Sequence, residues 1–186
     1  MRIIAGSRKG TRLAAPKGIQ VRPTRDRVKE SLFNILRFFN DAIILDLFSG
    51  TGGFGLEALS RGAQSVTFVE KSSHVIRILT KNVYTCRFEE QSHIIKSDVF
   101  AWLVQNVENH AIRFDYIFAD PPYDKGYVNK LVDYPLDNIL SDKGLFVIEH
   151  SPGEQPDSNT YNKCWEVLKK SHYGETEISI LKPIRE

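Results

Sequence analysis

From residue 42 onward the chain alternates short apolar runs with longer stretches in which apolar residues recur every three or four positions. The runs AIILDLF (42–48), SVTFVE (65–70), SHIIKS (92–97), FDYIFAD (114–120) and GLFVIEH (144–150) have strand length and predict strands. The helical spacing between them predicts helices over 53–61, 72–85, 99–107 and 126–140. Strand and helix in alternation is the pattern of βαβ units around a parallel sheet. A polar, turn-rich segment, SPGEQPDSNTYN (151–162), follows. Beyond it CWEVLKKSHY and ETEISILKP read as strands joined near Gly174, a closing antiparallel hairpin at the sheet edge.

The first 40 residues follow another pattern. RIIAG and GTRLAA flank SRKG and predict a small basic β-hairpin, with Gly10 relieving the turn. TRDRVKESLFNILRFF (24–39) sets Val28, Leu32, Ile35, Leu36 and Phe39 on one helical face, with Thr24 the expected N-cap. The expected division is an arm, 1–23, on a single larger domain, 24–186.

Composition narrows the class. At 186 residues, 41% hydrophobic and 26% charged, the chain has room for one sizeable core. No apolar run approaches the ~18 residues of a membrane helix. The amino terminus lacks the apolar centre of a secretory signal, so the chain is expected to be cytoplasmic, with no membrane partner. Cys86 and Cys164 fall in no zinc-binding spacing, and no metal is expected. The net charge of +2 is unevenly spread: residues 1–29 hold nine Lys or Arg and one acid, Asp26, so they carry +8 and the rest −6. Arg2, Arg8, Lys9, Arg12, Arg22 and Arg25 in that block predict an arm for a polyanion, since each neutralised phosphate releases counterions. A merely solvated end is the alternative.

Candidate chemistry begins at DLFSGTGGFGLEA (46–58), where Gly50, Gly52 and Gly55 match G-x-G-x-x-G between a predicted strand and helix. Glycines there accept unusual dihedrals and let backbone approach a ligand, and the helix start offers free N–H donors. Glu70, twenty residues after Gly50, is placed to accept from a ribose diol. These features suit NAD and S-adenosylmethionine equally. Asp46 leans toward the latter, because a carboxylate suits an ammonium group and not a pyrophosphate. Its alternative role is to accept loop N–H groups.

ADPPYD (119–124) ends the fourth predicted strand, the sheet edge at which open α/β folds bind ligands. Pro121 and Pro122 restrict their own dihedrals and those of the residues before them, which holds Asp120 and the turn carbonyls in one arrangement. Tyr123 adds a flat ring. The motif combines acceptors for an exocyclic amine with a surface on which a base can stack.

Asp-Pro-Pro-Tyr with the upstream glycine loop resembles the amino-methyltransferases that use S-adenosylmethionine. MRIIAGSRKGTRL, RPTRDRVKESLFNIL, FVEK, DPPY and YGETEISILK together resemble the RsmD family of bacterial small-subunit rRNA methyltransferases, over nearly the whole chain. The resemblance implies a Rossmann-like class I methyltransferase fold: a seven-stranded, mostly parallel sheet with an antiparallel last strand, plus the small basic hairpin and helix. It implies transfer of a methyl group to the N2 amine of a guanine in 16S rRNA, within an assembling 30S subunit, by a monomer. Carried onto this chain, it makes Asp46, Phe48, Ser49, Gly50, Gly52 and Gly55 the methionine-side loop. Glu70 would hold the ribose, Lys71 flank the adenine, and Asp98 with the Val99 N–H meet the adenine amine. Asp120, Pro121, Pro122 and Tyr123 form the target-base site. Segment 151–162 stands where many enzymes of this fold have a helix. A DNA adenine-N6 methyltransferase shares the chemistry, although 186 residues leave little room for a DNA-reading domain. An NAD-dependent oxidoreductase is the other alternative, with no His or Lys in a pattern for hydride transfer.

Overall fold

The computed structural model describes residues 1–16, 23–36, 39–108, 112–154 and 164–185, and in 23–27 the backbone alone. The chain divides into two compact units, Met1–Trp102 and Leu103–Glu186.

The first unit is built on α1 (Pro23–Leu36), β1 (Ile43–Leu47), α2 (Gly53–Ser60), β2 (Ser65–Glu70), α3 (Ser73–Cys86) and β3 (Ser92–Lys96), and α4 (Val99–Asn106) begins in it. β1 pairs with β2, and β2 with β3, all parallel, with Leu47 opposite Val69 and Glu70 opposite Lys96. Ile44, Leu45, Leu47, Val66, Phe68 and Val69 are fully buried. Such continuous apolar runs are what a strand covered on both faces requires. A parallel ladder also brings every carboxyl end to one edge, and that edge carries the candidate site.

The second unit holds β4 (Phe114–Ala119), α5 (Tyr127–Val132), β5 (Leu140–His150), β6 (Trp165–Tyr173) and β7 (Thr176–Pro183). β4 and β5 are parallel, while β7 runs antiparallel between β5 and β6. Phe146, Ile148 and Leu181 are fully buried, and the buried Trp165 ring donates its N–H to the Val132 carbonyl at 3.0 Å. The whole is a seven-stranded mixed sheet, to which the units contribute β3-β2-β1 and β4-β5-β7-β6. The antiparallel strand is β7, the last in sequence, as expected.

Several boundaries differ from expectation. The helix expected over 126–140 stops at Val132, because Pro135 cannot continue it, and Leu136–Ile139 form a 3-10 turn instead. β5 starts at Leu140, four residues before the predicted strand. Thr24 is not the N-cap of α1: the helix already includes Pro23, whose restricted φ suits a first helical position. Val28, Leu32 and Leu36 are buried as predicted, Ile35 is only half-buried, and Phe33, absent from the predicted face, is 1% exposed. The amino-terminal segment is a small antiparallel hairpin: around the Arg2–Arg12 bridge the Ile3 N–H donates to the Thr11 carbonyl, the Gly10 N–H to the Ile3 carbonyl and the Leu13 N–H to the Met1 carbonyl, and contacts with α2 and α3 hold it to the body. Among the described residues no helix is long and apolar enough to cross a membrane.

Candidate active site

Three carboxylates stand at the strand ends of the first unit. Asp46, 2% exposed, accepts the Gly55 N–H at 3.0 Å and so fixes the start of α2 against β1. Of the two roles considered for Asp46, this contact is the backbone one. Glu70 divides its carboxylate between the Gly50 N–H (3.0 Å) and the Ser72 N–H (2.7 Å), joining the glycine loop to the entry of α3. Asp98 accepts the Phe100 and Ala101 N–H groups with Oδ1, capping α4, and takes Lys71 Nζ on Oδ2 at 3.2 Å. Slight burial pushes the Asp98 carboxyl up, but the Lys71 hydrogen bond and charge, with the Ala101 and Phe100 amides, outweigh it and hold the group below its ordinary value. Lys71 therefore belongs to Asp98 in this arrangement. Val99, the first residue of α4, is buried.

The loop between β1 and α2 is shaped by left-handed residues: Phe48 at φ 55°, Gly50 at 54° and Gly52 at 85°. The Phe48 ring meets Phe100 edge-on, centroids 6.2 Å apart. Ser49 turns inward, its N–H and hydroxyl both on the Val69 carbonyl at 3.1 and 3.4 Å. A Cβ on Gly50 would approach only the Phe48 carbonyl oxygen, at 3.9 Å, so open space lies beside this backbone. Gly55 differs. Its missing Cβ would stand 2.3 Å from the buried Phe68 ring, which makes it the close-packing glycine between α2 and β2. Gly55→Ala is expected to cost about 1–3 kcal/mol of stability by overpacking, read from the urea unfolding midpoint. An unchanged midpoint would refute this.

In the second unit Asp120 is half-buried after β4, Pro121 is buried and Pro122 exposed. Tyr123 is pinned by its hydroxyl, which donates to Glu149 Oε1 at 3.0 Å and lies 3.1 Å from Thr176 Oγ1. With the phenol proton on the carboxylate, the threonine hydroxyl is left to donate to the phenol oxygen. Two bonds from different strands restrict the tilt of the ring. Burial, aided by the Glu149 and Asp120 charges and only partly offset by the Thr176 bond, pushes the phenol well above its ordinary pKa, so it stays neutral. Sequence reasoning missed Glu149 and Thr176. The signal for Glu149 was present: it is an acid closing an apolar run, FVIEH, as Glu70 closes SVTFVE.

The basic arm is docked. The fully buried Glu57 of α2 accepts the Ile4 and Ala5 N–H groups at 2.8 and 3.0 Å. Ser60 donates its hydroxyl to the Ala5 carbonyl and accepts the Arg8 N–H. Gly6 lies so close that a Cβ would overlap the Ser60 carbonyl, at 1.7 Å. Among the predicted polyanion contacts Arg2, Lys9 and Arg12 are exposed, while Arg8 is half-buried with its guanidinium over Phe88. Arg22 and the Arg25 side chain lie outside the described residues. Also among the described residues, no group of three or more His, Cys, Asp or Glu could hold a metal ion.

The family model described as Conserved hypothetical protein 95 matches residues 1–182. The Ribosomal RNA small subunit methyltransferase D of Escherichia coli strain K12 is 37% identical over 151 residues, 80% of this chain and 74% of that protein. Its Haemophilus influenzae namesake is 32% identical over 176 residues, 94% and 89% of the two chains. The solved structure of yhhF from Escherichia coli superposes with a TM-score of 0.83 at 30% identity, covering 100% of this chain and 99% of that one. The fold is that of class I methyltransferases.

Proposed function

The chain belongs to the RsmD family, and from that membership we propose that it transfers a methyl group from S-adenosylmethionine to the N2 amine of a guanine in small-subunit rRNA. The observation that carries the amine chemistry is the Asp120-Pro-Pro-Tyr123 turn, with its half-buried carboxylate and a ring anchored through its hydroxyl.

The donor set of the first unit suits the cofactor. Glu70 would accept the ribose hydroxyls and Asp98 the adenine amine, with Val99 N–H and Lys71 beside it. Asp46, Phe48, Ser49, Gly50, Gly52 and Gly55 would form the methionine side, where the open space at Gly50 admits a ligand against the backbone. When bound, S-adenosylmethionine supplies an activated methyl group with a neutral thioether as leaving group. The remaining work falls to the protein. A guanine amine is a weak nucleophile because its lone pair is delocalised into the ring. Asp120 and a carbonyl of the Pro121 turn accept its two hydrogens, which favours a pyramidal nitrogen with its lone pair directed outward. This lone pair would receive the methyl carbon that the bound cofactor supplies, with the thioether as the leaving group. The nitrogen becomes acidic only as the bond forms, so its proton leaves last, to the Asp120 carboxylate that already accepts its hydrogen bond. Orientation accounts for much of the barrier reduction, roughly 7–11 kcal/mol for well-placed reactants. Stacking on Tyr123 contributes about 1–3 kcal/mol toward holding an unpaired base.

In this reading residues 1–23 form the RNA arm on a 24–186 methyltransferase domain. Arg2, Arg8, Lys9, Arg12, Arg22 and Arg25 serve the phosphates, and the chain acts as a cytoplasmic monomer on an assembling 30S subunit. The test is methylation by purified protein of rRNA, and of small subunits, from a strain lacking the enzyme, with mass spectrometry of the product nucleoside. N2-methylguanosine is expected. Methylation of an adenine would overturn the target, and no transfer to either substrate would overturn the activity.

A further inference from the structure

The helix α3 carries a face that the proposed site does not use. Residues 71–88 contain four Lys or Arg and no acid, inside a body, residues 30–186, whose net charge is −6. An ordinary solvated helix face mixes both signs. His74, Arg77, Lys81 and Tyr84 recur at helical spacing and are all exposed, and Arg87 follows at the helix end. Tyr84 is 66% exposed, the highest fraction among the large exposed apolar side chains described.

Among the cations of this unit two groups stand out. Lys29, Arg61 and Lys71 are held in ion pairs. Lys9, Arg12, Arg77, Lys81, Arg87 and, on β3, Lys96 make no ion pair among the described residues, although Glu89 and Glu90 follow just beyond the helix end. The helix and the arm are also in direct contact. Buried Asn82 of α3 accepts the Ala14 N–H at 2.7 Å, and its amide donates to the Ala14 and Thr51 carbonyls at 3.0 Å. Arg8 of the arm lies over Phe88, just past α3, at 5.7 Å.

We propose that the exposed face of α3, a helix to which the arm is bonded, is a second part of the RNA-binding surface, where Arg77, Lys81 and Arg87 meet phosphates and Tyr84 stacks on an unpaired base. This rests on rRNA being the substrate. Unpaired cations around an exposed aromatic ring are the arrangement that tracks a phosphate backbone and receives its splayed bases. Because Asn82 ties the arm to α3, the two parts are held together when they meet the RNA.

The test compares binding of a small-subunit rRNA transcript across salt concentrations. The triple variant R77Q/K81Q/R87Q should lower the log–log salt slope by about 2 to 3, since each phosphate contact contributes about 0.7 to 0.9. Y84A should weaken binding by about fivefold to a hundredfold with the slope unchanged, because stacking releases no counterions. Removing three charges from the second unit, K143Q/K169Q/K182Q, should leave the slope as it is. Cofactor affinity and melting temperature, measured on every variant, separate lost contacts from lost folding. An unchanged slope in the α3 triple variant, or an equal fall in the control, overturns the proposal while wild-type methylation of rRNA stands. A wild type that neither binds nor methylates rRNA overturns the underlying function instead.

Discussion

Asp120→Ala should lower single-turnover methyl transfer by about 10²- to 10³-fold, the size of effect seen when a preorganised hydrogen-bonding group is taken from a reacting centre. The amine's hydrogens need acceptors held in place as its nitrogen changes geometry. Asp120 is suited to this because it follows β4 directly and precedes a proline, which leaves its backbone few conformations. Its charge also reaches Tyr123, where it helps to keep the phenol protonated. The residues proposed to hold the cofactor belong to the first unit and Asp120 to the second, so calorimetric affinity for S-adenosylmethionine should be nearly unchanged. Asp120→Asn, which keeps one acceptor oxygen and loses the charge, should fall between wild type and Ala. Wild-type turnover in the Ala variant would remove Asp120 from the mechanism.

The largest expected effect on stability is at Glu57. Glu57→Ala should cost about 3–5 kcal/mol, as when one partner of a buried ion pair is removed. The carboxylate is fully buried and is met by Ile4 N–H, Ala5 N–H, Arg61 Nε at 2.9 Å and Lys29 Nζ at 3.2 Å. Lys29 is itself 4% exposed and would lose this carboxylate while keeping the Arg2 carbonyl, at 2.7 Å. Against a typical total of about 5–15 kcal/mol, that loss approaches unfolding. Urea denaturation of the whole chain measures it. Limited trypsin digestion supplies a second readout, because the loosened arm should be cut at Lys9 and Arg12 before the body. Glu57→Gln, which retains one acceptor for the arm amides, should lose less. A wild-type midpoint and digestion pattern in Glu57→Ala would show that the arm is held by other contacts.

Glu57 also marks where sequence reasoning ends. An acid within FGLEALS, in an otherwise apolar helix, signals a buried charge that must be paired. Nothing local names Ile4, Ala5 and Lys29 as the partners. Asp46 shows a second kind of limit. Its place at the end of a strand was legible, and both an ammonium partner and a loop amide were chemically reasonable. The contact with the Gly55 N–H depends on the packing of α2 against β1. Pro135 shows a third. Apolar periodicity runs past it to residue 140, while its ring and missing N–H end the helix at Val132.

The alternation of short apolar runs and helical periods was enough to establish the parallel strands, the glycine turn and the antiparallel close, because those features depend on spacing along the chain and on dihedrals that single residues impose. Partner choice required the folded chain. Tyr123 is held by Glu149 and Thr176, 26 and 53 residues away, and Ala14 by Asn82 at 68. A buried polar atom must be satisfied, and its chemistry tells only what kind of group will do so. Which residue answers is decided by where the packed strands and helices bring distant side chains together.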